Sequence, residues 1–262
     1  MRKDATNLEE TRLKGVKKIE DYPSYRERHR AFPSIFEERN HKRILDVAAG
    51  VGCAAQRIND LYPGFVVCND ITDTCLEILC QQGLTTLSFD IDDNNQSFPF
   101  AQNSFDAIVS LATLEHVINL DRHLSEMHRI LNDDGYLYIS SPNYASLVFS
   151  PRFLINGRAF HNPLNDSDRY EFYAHVRYFT YRTLLEFVSS FGFSPIAVYL
   201  PLPSKSSYYQ SLASRSKPKA LAFRYGMWFM YRFMSPRWAS EPILCFQKSD
   251  NRGNMKIRKV LV

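Results

Sequence analysis

The segment Ile44–Gly52 consists of a short apolar run, an acid and a turn of small residues. The apolar residues beside Asp46 predict a buried parallel strand, the small residues predict a tight turn, and a helix is expected from about Cys53. Backbone N–H groups at a helix N-terminus can approach a ligand closely, and the neighbouring carboxylate favours a ligand with positive charge. This segment is therefore the first candidate binding site.

The same segment fits a second pattern, because Gly50–Ala55 reads as G-x-G-x-x-A, which is typical of dinucleotide-binding proteins. Both patterns expect an acid about twenty residues later, and Asp70 meets that expectation. Asp46 favours the cationic ligand, since a carboxylate beside the turn would repel a pyrophosphate. Asp70 itself predicts hydrogen bonds to ribose hydroxyls or, as the alternative, a helix cap.

Three runs of sequence resemble one enzyme class. Ile44–Gly52 resembles motif I of the class I S-adenosylmethionine (SAM)-dependent methyltransferases, with Ala48 in place of the first glycine. That exchange predicts that Ala48 does not need a positive φ. Leu111–Val117 and His175–Thr180 resemble segments of small-molecule methyltransferases of the ubiquinone-biosynthesis O-methyltransferase type. The resemblance covers about residues 40–200 and favours a methyltransferase over a dinucleotide-dependent enzyme.

The resemblance implies SAM as the cofactor. Asp90, in preference to Asp92, would receive the adenine amino group, and the N–H of Ile91 would serve the ring. The backbone at Leu111 would line the cofactor. The full set of implied cofactor contacts is Asp46, Ala48, Gly50, Gly52, Asp70, Ile71, Asp90, Ile91 and Leu111.

Two histidines are the candidates for catalysis. A hydroxyl nucleophile gains from a general base, and His116 follows the fourth predicted strand, near the expected methyl group. His175 is the second candidate and His161 a weaker third; each also fits a structural role. No metal is expected, because His116, His123 and His128 do not share one helical face.

Strands and helices alternate along the chain. This predicts an α/β fold with a doubly wound, mostly parallel, seven-stranded Rossmann-like sheet and helices on both faces. The predicted strands fall at 43–47, 65–69, 85–89, 105–111, 136–141, 193–200 and 242–247. A helix is expected over 24–40, whereas 1–20 is expected to be a frayed helix or disordered. Long insertions at 142–179 and 201–240 are expected to shape the acceptor site.

Three regions follow from these patterns: an N-terminal extension at 1–40, a cofactor-binding core at 41–200 and a basic-aromatic region at 201–262. The net charge of +4 divides into −6 for 1–200 and +10 for 201–262, which favours an anionic partner or a solvated basic tail.

Aromatic residues and arginines are interleaved in 221–234, and three interpretations stay open. The segment can cover the sheet edge or form a homodimer face, it can lie on anionic lipid as an interfacial helix over 221–239, or it can contact an anionic substrate. No nucleic-acid recognition motif is present, so no nucleic-acid partner is expected.

Five cysteines without a C-x-x-C pair predict reduced thiols, and the charged start lacks a signal core. A cytoplasmic location is therefore expected. The sequence predicts a SAM-dependent methyltransferase that acts on a small molecule or a glycan- or lipid-linked precursor, with oxygen favoured as the acceptor atom. The alternatives are an NAD(P)-dependent oxidoreductase and a SAM-binding scaffold without activity.

Overall fold

The computed structural model describes residues 3–23, 25–63, 65–157, 161–165, 168–202, 207–249 and 257–262. Its strands are β1 (Ile44–Asp46), β2 (Val66–Asn69), β3 (Thr85–Leu87), β4 (Phe105–Leu111), β5 (Leu131–Ser140), β6 (Phe193–Leu200), β7 (Ile243–Lys248) and β8 (Arg258–Leu261). They form one sheet in the order β3-β2-β1-β4-β5-β7-β6-β8. The first five strands are parallel, and β7 runs antiparallel to both β5 and β6.

The helices are α1 (Lys3–Arg12), α2 (Cys53–Leu61), α3 (Asp73–Gln81), α4 (Leu120–Ile130), α5 (Ser150–Asn156), α6 (Arg169–Ala174), α7 (Tyr181–Ser189), α8 (Ser207–Arg215) and α9 (Lys217–Phe233). Successive residues of β4 belong to different apolar clusters, Ile108 to one and Val109 to the other. Since successive strand residues point to opposite faces, both faces of the sheet are buried.

The doubly wound α/β architecture is confirmed, and β4 and β6 have the predicted bounds. The sheet has eight strands rather than the seven predicted, because Arg258–Leu261 adds β8 parallel to β6. This strand lies in the segment interpreted as a basic tail. The sequence did not indicate this strand, because two of its four residues, Arg258 and Lys259, are charged. Charged side chains are common on edge strands.

The helix predicted over 24–40 is wrong for the described residues 25–40, which form turns and one 3₁₀ turn at Ser34–Phe36. Pro33 lies where the helix interior would be, and it has no N–H to donate. The side chain of Arg57 on α2 donates to carbonyl groups of this segment that backbone N–H groups would bind in a helix. Its guanidinium donates over 2.8–3.0 Å to the carbonyl groups of Tyr25, Arg26 and Arg28.

A helix, one of the two alternatives expected for residues 1–20, is present near the start as α1, which is held at two places. Glu10 accepts hydrogen bonds from the N–H of Thr74, over 3.2 Å, and from its hydroxyl, over 2.5 Å, at the start of α3. Glu9 accepts a hydrogen bond from Tyr170 on α6. The helix thereby joins the cofactor-side helix α3 to the first insertion. The division into three regions stays a prediction.

Within the described parts of the chain, every helix is too short or too polar to cross a bilayer.

Candidate active site

The candidate residues gather at the carboxyl ends of the central strands. The strand order reverses between β1 and β4, and ligands of open α/β sheets bind in the crevice beyond that point. Asp46 ends β1, Asp70 directly follows β2, and Leu111 ends β4. The topology therefore brings together residues that are far apart in the sequence.

The turn after β1 is built from three positive-φ residues. Ala48, Gly50 and Gly52 have φ values of 54°, 58° and 86°. The expectation that Ala48 avoids positive φ is wrong. Its left-handed conformation costs about 1 kcal/mol relative to glycine, and the N–H of Ala49 that follows donates to the Asn69 carbonyl over 2.8 Å.

The two glycines of this turn have different surroundings. A Cβ on Gly52 would lie 2.8 Å from Leu79 Cδ2, so close packing with α3 requires the glycine. A Cβ on Gly50 would meet no atom within 4 Å. The open side of Gly50 is therefore the place where the backbone can approach a ligand.

Asp46 is a buried acid without full compensation. Its side chain is 3% exposed, and Oδ2 has no hydrogen-bond partner among the described residues. Burial, with a further contribution from Asp70, raises the pKa of Asp46 to about 8. Such a group is stabilised by a cation nearby, because opposite charge favours the ionised form.

Asp70 ties the turn to the next helix. Its Oδ2 accepts from the N–H of Gly50 over 2.9 Å, and Oδ1 accepts from Ile71 and from both donors of Thr72 over 2.8–3.0 Å. Burial raises the pKa of Asp70, and these hydrogen bonds oppose that rise. Asp70 can therefore cap α3 and also accept from a ligand, since one carboxylate has several acceptor sites.

The two acids after β3, Asp90 and Asp92, have different hydrogen-bond partners. Asp92 accepts from the N–H groups of Ile118 and Asn119 over 2.7–3.2 Å, and so attaches this loop to the start of α4. Oδ1 of Asp90 accepts a local hydrogen bond from the N–H of Asp92 over 2.9 Å. The carbonyl of Ile91 faces the ring of buried His123, at 3.3 Å from Nδ1. The assignment of adenine to Asp90 and Ile91 stays a prediction.

His116 and His175 lie side by side, with ring centroids 4.7 Å apart. His116 belongs to the 3₁₀ turn Leu114–His116 that follows β4, and His175 ends α6. Burial lowers the pKa of His116, and burial together with the two neighbouring histidines lowers the pKa of His175 to about 3. Both rings are therefore neutral near pH 7.

The hydrogen bond of His116 fixes which ring nitrogen carries its proton. Nδ1 lies 3.2 Å from the carbonyl oxygen of Ala174. A carbonyl can only accept, so Nδ1 is the donor and Nε2 keeps its lone pair. This tautomer leaves Nε2 able to take a proton from another group.

Tyr144 links the remaining histidines. Its hydroxyl lies 2.7 Å from Nδ1 of His175 and 3.1 Å from Nε2 of His161. His161 thus belongs to the same cluster, although its sequence signal is weak. Burial raises the pKa of Tyr144, so it remains a neutral donor and acceptor.

Glu115 is the main site residue that the sequence did not assign. Its side chain is 1% exposed, Oε2 has no hydrogen-bond partner among the described residues, and burial raises its pKa to about 8. Its carbonyl oxygen accepts from Val176 and Arg177 over 2.8 and 3.1 Å, which fixes His175 beside His116. The L-E-H-V run contained the signal, whereas Tyr144 had none.

Comparisons with known proteins agree with this geometry. A family model described as a methyltransferase domain matches residues 17–198. Over 118 residues the chain is 36% identical to a ubiquinone/menaquinone biosynthesis C-methyltransferase from Coxiella burnetii, which covers 42% of this chain and 47% of that protein. It is 32% identical over 101 residues to a malonyl-[acyl-carrier protein] O-methyltransferase from Geobacter sulfurreducens, covering 36% of each.

The fold has counterparts among solved structures. A SAM-dependent methyltransferase from Archaeoglobus fulgidus superposes with a TM-score of 0.54 at 16% identity, covering 84% of this chain and 91% of that one. At this identity the likeness concerns the fold. The chain spans about half the length of the first curated relative that it matches, 47%.

The strand order and the acid-and-glycine crevice define the fold of a class I SAM-dependent methyltransferase. The chain belongs to the methyltransferase domain family, whose model covers more than half of it. SAM is the cofactor of this class, and the dinucleotide-dependent alternative is not favoured.

The residues present fit that cofactor. Oδ2 of the buried Asp46, which has no hydrogen-bond partner among the described residues, suits the cationic end of SAM, and the open side of Gly50 leaves room for a close approach. Asp70 directly follows β2 at the same edge of the sheet, and its role toward the ribose stays a prediction. SAM supplies an activated methyl group on a sulfonium, so the protein has to bind, align and exclude water rather than form a covalent intermediate.

Proposed function

We propose that the protein transfers the methyl group of SAM to an oxygen atom of a small molecule or of a glycan- or lipid-linked precursor. The observation that carries the proposal is the neutral His116, whose free Nε2 lies beyond the carboxyl end of β4. The curated relatives include both a C-methyltransferase and an O-methyltransferase, so the acceptor atom is the point to test.

In this mechanism the side chains align the acceptor and remove its proton. The acceptor hydroxyl gives its proton to Nε2 of His116 as its oxygen attacks the methyl carbon in line with the leaving sulfur. The carbonyl of Ala174, at 3.2 Å from Nδ1, holds the ring during the transfer and stabilises the positive charge that it gains. General base catalysis of this kind contributes about 10²–10⁴-fold to the rate.

The acceptor atom can be identified with SAM that carries an isotopically labelled methyl group. The protein is incubated with this SAM and a deproteinised metabolite extract, and labelled products are separated and examined by NMR. We expect the label in a methyl group bonded to oxygen. A label bonded to carbon or nitrogen would overturn the oxygen assignment, and the absence of any labelled product would favour the scaffold without activity.

The substitution His116→Ala is expected to lower kcat by about 100-fold or more, because the general base is lost. The SAM affinity should stay unchanged, since the ring lies on the acceptor side. Formation of S-adenosylhomocysteine gives kcat, and calorimetry gives the SAM affinity.

The matched control is His128→Ala, on α4, where the ring packs against Phe193 with centroids 5.2 Å apart. We expect it to keep kcat. Full activity of the His116→Ala variant would remove His116 as the base.

We also propose that α9 brings the protein to anionic lipid. Residues 207–240 contain six lysines or arginines and no acidic residue. One face of α9 presents large side chains to solvent, with Tyr225, Phe229 and Phe233 exposed by 60%, 58% and 63%. The other face is anchored to the domain, since Tyr231 is buried in the core. An exposed aromatic face next to positive charge suits an anionic bilayer surface.

Vesicle titration tests this surface, because Trp228 lies on α9 and is 43% exposed, and the only other tryptophan of the sequence, Trp238, lies in the 3₁₀ turn that follows. We expect a blue shift of their fluorescence with anionic vesicles, weakened by salt, and little change with zwitterionic vesicles. The variant with Phe229→Ser and Phe233→Ser should bind about tenfold more weakly or worse.

A matched control replaces another exposed apolar residue, Leu61 at the end of α2, which is 69% exposed. Leu61→Ser should bind as the wild type does. If the vesicles have no effect and the protein elutes as a dimer that the double variant dissociates, the surface is a homodimer face instead.

The cytoplasmic location is retained as part of the proposal. All five cysteines are free thiols, four of them buried, as is usual in a reducing compartment. A small-molecule or glycan acceptor and the lack of a nucleic-acid partner also remain proposals.

A further inference from the structure

We propose that Glu115, His116 and His175 bind one divalent first-row transition metal ion, with Zn²⁺ or Mn²⁺ as the candidates. Their ligand atoms all lie within 4.8 Å of one another. Two imidazoles and one carboxylate form a donor set that such ions accept. The expectation of no metal rested on histidines close in the sequence, and this cluster joins residues from two distant segments.

Glu115 is the strongest reason for a cation at this place. The side chain is 1% exposed, and its Oε2 has no hydrogen-bond partner among the described residues. Burial of Oε2 is costly, because this oxygen has lost water and gained no hydrogen bond among the described residues in return. A metal ion beside Oε2 would stabilise the carboxylate and remove that cost.

Each histidine has an outer partner of the kind found around metal sites. Nδ1 of His116 donates to the carbonyl of Ala174, and Nδ1 of His175 lies 2.7 Å from the hydroxyl of Tyr144. Such partners hold the ring and fix its tautomer. If His175 donates to Tyr144 and Tyr144 donates to His161, both candidate ligands keep one ring nitrogen with a free lone pair.

The backbone supports the same grouping. The carbonyl of Glu115 accepts from the N–H groups of Val176 and Arg177 over 2.8 and 3.1 Å. The 3₁₀ turn after β4 and the end of α6 are thereby joined beside the ligands themselves. The two segments that carry the three side chains are therefore held together before any ion binds, and only the side chains have to adjust around it.

Three protein ligands leave at least one coordination position open. The role that follows rests on the proposed function: the ion would bind the acceptor oxygen and lower the pKa of its hydroxyl. The hydroxyl proton then goes to solvent, the oxygen lone pair forms the new bond to the methyl carbon, and the electron pair of the broken C–S bond stays on sulfur. With the ion bound, His116 is a ligand, so this route replaces the general-base step of the proposed function and keeps the transfer of the methyl group to oxygen.

Calorimetry on tag-free protein treated with EDTA and dialysed tests the site, with ZnCl₂ and MnCl₂ as probes. We expect one ion per chain, and a Co²⁺ spectrum with visible bands as the signature of protein ligands. Glu115→Gln should weaken binding by about 100-fold or more, because a direct ligand is lost. His128→Ala, a histidine outside the cluster, should bind the ion as the wild type does.

The folding of Glu115→Gln is checked by its thermal unfolding without metal. The wild type's failure to bind either ion, or equal binding by a folded Glu115→Gln variant, would overturn the site. Ion binding without methyl transfer would support the site and overturn the proposed function. Methyl transfer that persists in EDTA, in a protein that binds no ion, would do the reverse.

Discussion

Replacing Asp46 with asparagine is expected to weaken SAM binding by about 100-fold, or ~3 kcal/mol. Asp46 ends β1, its Oδ2 has no hydrogen-bond partner among the described residues, and its side chain is 3% exposed. Little water can therefore reach a cationic ligand at this place and compensate for the lost negative charge. Asparagine keeps the shape of the side chain and removes only the charge. Calorimetry with SAM at pH 7 measures the difference.

The same residue predicts how SAM affinity depends on pH. Burial raises the pKa of Asp46 to about 8 in the free protein, whereas a bound cation favours its ionised form and lowers that pKa. Binding below pH 8 therefore releases a proton, and the affinity should rise from pH 6 to pH 7.5. Calorimetry in two buffers of different ionisation enthalpy detects the released proton. The Asp46→Asn variant should release none, and an unchanged proton count would contradict the assignment.

As the pH rises and the SAM affinity increases, the stability of the ligand-free protein is expected to fall. A carboxyl whose pKa is raised by folding stabilises the fold while it is protonated, and this contribution is lost as the pH rises from about 4 through 8. At pH 8–9 the ligand-free Asp46→Asn variant should thus be as stable as the wild type or more stable, by about 1–2 kcal/mol. A variant that loses SAM but resists denaturant better would show that Asp46 serves binding rather than folding.

The second large effect is expected for Asp70→Ala. SAM affinity should fall by about 1.5–3 kcal/mol if the carboxylate accepts from the ribose. The free energy of unfolding should also fall, by about 1–3 kcal/mol, because the N–H groups of Gly50, Ile71 and Thr72 lose their acceptor. Calorimetry and chemical denaturation measure the two losses separately.

The matched control for this variant is Asp73→Ala, because Asp73 is an exposed acid in the first turn of α3, three residues further on. It should leave SAM affinity unchanged. If Asp70→Ala binds SAM as tightly as the wild type and is only less stable, Asp70 is a helix-capping residue and has no part in ribose binding.

Local signals were sufficient for the core of the fold. β4 and β6 have the bounds that apolar patterning predicts, and α2 begins at the residue expected after the glycine turn. These elements depend on neighbours in the sequence, through side-chain period and turn chemistry. The doubly wound, mostly parallel sheet follows from the alternation of strands and helices, because crossovers of this length leave few topologies.

Elements whose hydrogen bonds are made at long range were not predictable. Residues 25–40 look apolar and periodic, yet the side chain of Arg57 satisfies their carbonyl groups instead of a helix. Ala48 takes a positive φ in a turn that is held by the hydrogen bond from the N–H of Ala49 to the carbonyl of Asn69. The local sequence around Ala48 does not indicate this long-range bond. β8 exists because β6 offers it an unpaired edge.

The sequence alone determined the binding class: an acid, a glycine turn and a second acid at spacings that place them at neighbouring strand ends. Only the tertiary structure brought together the cluster proposed as the acceptor side, in which Glu115, His116, Tyr144 and His175 meet. The cofactor residues lie within or next to successive strands, so parallel pairing positions them. The residues of this cluster come from a turn and an insertion that meet through hydrogen bonds between the 3₁₀ turn after β4 and the end of α6, and no sequence period indicates those bonds.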